Sequence, residues 1–90
     1  MTLDHRLASQ VSILGKIILK GDDSEILSSA EEILLFLNHL QDFLQQSPNA
    51  QIPLSSISDI IYGLESNPDL TLRDKDIRSR LLNFFIKVAQ

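Results

Sequence analysis

The sequence predicts an all-α fold, a four-helix bundle or pair of antiparallel helical hairpins with helix two central, and three observations carry that expectation. Apolar residues recur at three- and four-residue spacing along nearly the whole chain. No stretch alternates apolar and polar residues as a half-buried strand does. The breaks between periodic runs are short and rich in turn and capping residues, which makes consecutive helices antiparallel neighbours.

The first helix is expected over about residues 3–19. Leu3, Leu7, Val11, Leu14 and Ile18 step by four, four, three and four, so they share one stripe, and Gly21 follows as a residue free to take the left-handed closing conformation. Two capping signals precede the second helix: Asp22 with Glu25, and Ser28 with Glu31 or Ser29 with Glu32. The earlier start is favoured, giving a helix over 23–46, because the stripe Ile26, Ala30, Ile33, Leu37, Leu40 and Leu44 is already under way before the second signal. SPNAQIP then reads as a loop. Leu54, Ile57, Ile60, Ile61 and Leu64 predict a third helix over 55–66, capped by Ser55 or Ser56 and stopped at Gly63 or at SNP. Thr71 with Asp74 opens a fourth over 72–89, striped by Ile77, Leu81, Phe84 and Val88.

Ninety residues make one domain, 1–90, and a chain this short buries only about 60–65% of the surface its unfolded form exposes. With no Cys, disulfides and thiolate zinc sites are excluded. The N-terminal apolar run is short and contains Lys16 and Lys20, so neither a membrane span nor a signal peptide is expected, and a cytoplasmic location is. Net charge is −4, unevenly spread: residues 1–20 carry +2, residues 21–69 carry nine acids and no Lys or Arg, and residues 70–90 carry +3. Basic ends beside an acidic middle imply pairing between terminal and central helices, and such a surface disfavours nucleic acid as a partner.

No residue set spells out a reaction. His5 and His39 lie far apart without a second ligand at helical spacing, so no metal is expected, and Asp42 is the natural acceptor for His39. No nucleophile motif, phosphate loop or cofactor box is present. The cluster RDKDIRSR, residues 73–80, interleaves cations with acids and reads as a solvated turn with local ion pairs. In GDDSEIL, Asp23-Ser24 stands at a helix start as the modified serine does in acyl carrier proteins, which this stretch resembles. The resemblance implies a prosthetic arm on Ser24; Glu25 departs from it where those proteins have Leu, and the long loop between their first two helices is missing. Ser24 is equally explained as a small polar residue at a helix N-terminus.

The run Ile33-Leu34-Leu35-Phe36-Leu37 carries the functional expectation. A helix apolar nearly all round is buried nearly all round, and in a small bundle every helix should keep a solvent face. The surplus residues Leu35, Phe36 and Phe43 on helix two and Leu82, Phe85 and Ile86 on helix four are therefore expected to meet a partner. The expected function is non-enzymatic: a small acidic adaptor, chaperone or regulatory subunit that buries helical faces against a second copy or another protein. An acidic inhibitor mimicking nucleic acid is the other protein-binding alternative. Phe36→Asp with Phe43→Asp is expected on this reading to abolish association while sparing the helices.

Overall fold

The computed structural model describes residues 5–46 and 52–89, with side chains from Leu7 in the first helix to Val88 in the last; Leu3 and most of the expected SPNAQIP loop lie outside the described residues. Among the described residues there are six helices and no strand: α1 (His5–Lys20), α2 (Asp23–Ser28), α3 (Ala30–Gln46), α4 (Leu54–Ser66), α5 (Pro68–Arg73) and α6 (Lys75–Ala89).

The expected second helix is divided at Ser29, and the serines are the reason. Asp22 caps α2 by accepting from the Glu25 amide at 3.2 Å. Ser28 and Ser29 then both turn their hydroxyls back onto the Glu25 carbonyl, each at 2.9 Å, instead of capping the next helix. Side-chain donors competing for a helical carbonyl end the helix locally. Ser29 is itself buried, and its carbonyl accepts from Ile33 to open α3.

The expected fourth helix is divided in the same way. Asn67, and not Thr71, caps α5 by accepting from the Leu70 amide at 3.1 Å, with Pro68 in the first turn, where a missing amide hydrogen costs nothing. Asp74 caps α6 by accepting from Asp76 at 2.8 Å and Ile77 at 3.4 Å. The break leaves the Leu72 carbonyl without its helical donor, and Arg78 Nε supplies one at 2.7 Å. The Arg78 guanidinium also bonds Asp23, which ties α6 to α2.

Each helix packs on its neighbours in a closed circuit: α1 on α3, α3 on α4, α4 on α5, α5 on α6, and α6 back on α1, with α2 set against α5. Gly15 in mid-α1 lies against Phe85, whereas Asp23, just past the end of α1, meets Arg78 near the start of α6, so α1 and α6 run antiparallel. One core fills the circuit, and Phe36 of α3 meets Phe85 of α6 across it with ring centroids 5.0 Å apart at 57°. Ile52, in the expected loop, is also buried there.

Helix α3 is not enclosed. Glu31, Leu35, Asn38, Asp42 and Gln45 form an exposed stripe along it. The run Ile33–Leu37 is instead absorbed within the chain: Ile33, Phe36 and Leu37 are core, Leu34 packs on the core, and Leu35 alone points out.

Two glycines inside helices give opposite expectations. Helix α4 continues through Gly63, which is there because α5 presses on it: a methyl group would meet Thr71 Oγ1 at 2.8 Å. Gly63→Ala is expected to lower stability by about 1–3 kcal/mol through overpacking. A methyl group at Gly15 would sit 3.9 Å from Phe85 Cδ2, an ordinary contact. Gly15→Ala should therefore raise stability by about 0.5–1 kcal/mol, the helix-propensity difference. Urea denaturation of the two variants checks both signs.

Candidate partner-binding groove between α1 and α6

Where α1 and α6 lie side by side, their outer surfaces do not close over one another. Val11, Gly15 and Leu19 on α1 and Leu82, Phe85 and Ile86 on α6 line an open groove of about 330 Å³, and Ser12 and Lys16 complete it. Its depth follows from local sequence. Gly15 contributes no side chain, so the buried Phe85 ring forms part of the floor. Leu19 and Ile86 stand along the groove 74% and 57% exposed.

The groove gathers three of the six residues that sequence periodicity marks as surplus, Leu82, Phe85 and Ile86, and leaves the other three elsewhere. Leu35 is 53% exposed on the acidic stripe of α3, Phe43 is half-buried against the core, and Phe36 is fully buried. Phe36 therefore belongs to the core and not to a surface, because the helix turn that exposes Leu35 carries its successor inward. Phe85 is likewise a core ring that comes to the surface only as groove floor. Sequence reasoning missed Val11, Gly15, Lys16 and Leu19 as partners of α6. A signal for Leu19 was available: Ile17-Ile18-Leu19 is a second run of consecutive apolar residues, too wide for one stripe.

Charge is divided across the fold. Helices α1 and α6 hold Arg6, Lys16, Lys20, Lys75, Arg78, Arg80 and Lys87 against the single acid Asp76, a net +6. Helices α3 and α4 hold Glu31, Glu32, Asp42, Asp59 and Glu65 and no Lys or Arg, a net −5. The expected pairing of basic ends with the acidic middle is concentrated at α2, where Lys20 meets Glu25 at 3.2 Å and Asp23 meets Arg73 at 3.8 Å as well as Arg78. The hydrogen bond and charge of Arg78 hold the Asp23 carboxyl below its ordinary range. Arg73 also pairs with Asp69 and Arg80 with Asp76, both along their own helices. Among the described residues no carboxylate lies within ion-pair distance of Lys16 at the groove.

The remaining expected sites are dispersed. His39 Nδ1 lies 3.4 Å from Gln10 Oε1, so its partner is on α1 and not the expected Asp42. No group of three His, Asp or Glu side chains among the described residues could hold a metal, and no described helix is long and apolar enough to cross a membrane. Ser24 is exposed in the first turn of α2, beside the Asp23 that the arginines engage. No protein-family model, curated protein or solved structure matches the chain.

Proposed function

We propose that this protein is a non-enzymatic interaction module whose α1/α6 groove receives an amphipathic helix of another protein. The observation that carries the reading is the position of Leu19 and Ile86, two large apolar side chains left exposed beside an apolar floor. From Val11 to Leu19 the groove runs about 12 Å at 1.5 Å per residue, room for two turns of a docked helix. Helix-in-groove recognition uses apolar anchors spaced three, four and seven residues apart, and an open trough between two helices suits that mode. Burial of the rim and floor would supply the affinity at about 25 cal/mol per Å².

A second copy fits the groove less well than a different chain. No helix among the described residues exposes two large apolar side chains three, four or seven positions apart, the pattern a docked helix needs. An adaptor, small chaperone or regulatory subunit is the role this implies.

The test uses a stapled helical peptide of about 15 residues with leucine on one stripe and glutamine elsewhere. It should bind the wild-type chain in a fluorescence-anisotropy titration. Leu19→Gln with Ile86→Gln should weaken binding at least about tenfold with the circular dichroism spectrum unchanged, since both side chains are exposed. Equal affinity of the two proteins would sink the groove as the docking site.

A further inference from the structure

Resting on the groove reading, we infer that the helix received there carries carboxylates beside its apolar stripe, and that Lys16 is the cation that selects it. Lys16 is the one charged side chain lining the groove, and it is exposed. It lacks a carboxylate neighbour among the described residues, whereas Lys20, one turn on, is engaged by Glu25. A cation that meets no carboxylate among the described residues, set beside an apolar trough, favours a partner that brings the missing anion.

The same charge pattern disfavours the symmetric alternative. Two copies pairing groove to groove would bring together two surfaces that each carry Lys16 and no carboxylate, a like-charge juxtaposition that opposes association. A helix with basic flanks meets the same repulsion.

Three peptides with identical leucine stripes, flanked by glutamate, glutamine or lysine, separate this inference from the reading beneath it. At about 50 mM salt the glutamate peptide should bind the full chain about tenfold more tightly than the lysine peptide, and the gap should narrow as salt rises to about 300 mM. Lys16→Glu should narrow or invert the order of the glutamate and lysine peptides. Equal affinities for all three peptides, or an order insensitive to Lys16→Glu, would overturn the charge selection and leave the groove standing. Failure of all three to bind would overturn both. Light scattering on the free protein adds a further arm: a dimer that Lys16→Gln strengthens would show that the occupant is a second copy's groove, against the inference.

Discussion

Phe36→Ala is expected to lower stability by about 3–5 kcal/mol, a large share of what a domain of this size possesses. Phe36 is fully buried and its ring meets Phe85 across the middle of the helical circuit, so truncation removes transfer free energy and leaves a cavity between α3 and α6 at once. Phe85→Ala should behave similarly, and a double-mutant cycle should show about 0.5–1.5 kcal/mol of coupling between the rings. Leu35→Ala, one residue away on the exposed stripe, should change stability by no more than about 0.5 kcal/mol. Phe36→Asp with Phe43→Asp should unfold the protein, since it places a carboxylate in the core, and the separation of folding from association passes to Leu19 and Ile86. Thermal melts decide the matter: a near-native melting temperature for Phe36→Ala would remove Phe36 from the core.

The second large effect is expected at Arg78. Its side chain is 17% exposed and donates to the Leu72 carbonyl that the α5/α6 break leaves open, while its far end binds Asp23. Arg78→Ala should lower stability by about 1.5–3 kcal/mol, the range for a hydrogen bond made by a charged group. Arg80→Ala removes an exposed pair within one helix and should change stability by less than about 0.5 kcal/mol. The Arg78–Asp23 contact also sets a pH dependence. Asp23 has a lower pKa folded than unfolded, so its contribution is complete above the ordinary carboxylate value of about 3.9 and is lost as pH falls from there through the folded value. Denaturant midpoints measured from pH 7 to pH 3 should fall less steeply for Asp23→Asn than for the wild type. Parallel curves would show that the arginine acts only through the Leu72 carbonyl.

Particular residues show how far the sequence could be read. Leu7, Leu14 and Ile18 were legible as one buried face because the spacing that marks them is the spacing that aligns them. Gly21 was legible too: it has φ of +76° and its amide closes on the Ile18 carbonyl at 3.1 Å. The divisions at Ser29 and Asp74 were harder, since the same serine and aspartate types that start helices can also end them. At Ser29 the hydroxyl turned toward Glu25 and decided the matter, and nothing in the spacing distinguishes that choice. Gly63 reads in sequence as a helix stop and is a contact point, because its reason lies on another helix.

By itself the sequence determined that the described chain is helical, where most helical faces lie, and that more apolar surface is present than one stripe per helix requires. The tertiary structure alone decided where that surplus goes. Periodicity is a property of one helix, about 100° per residue, and places side chains around a single axis. Whether a face so defined is core or surface depends on which other helix crosses it. Phe36 is buried because Phe85, forty-nine positions on, comes to meet it, and Leu19 is exposed because α6 packs beside α1 without covering it.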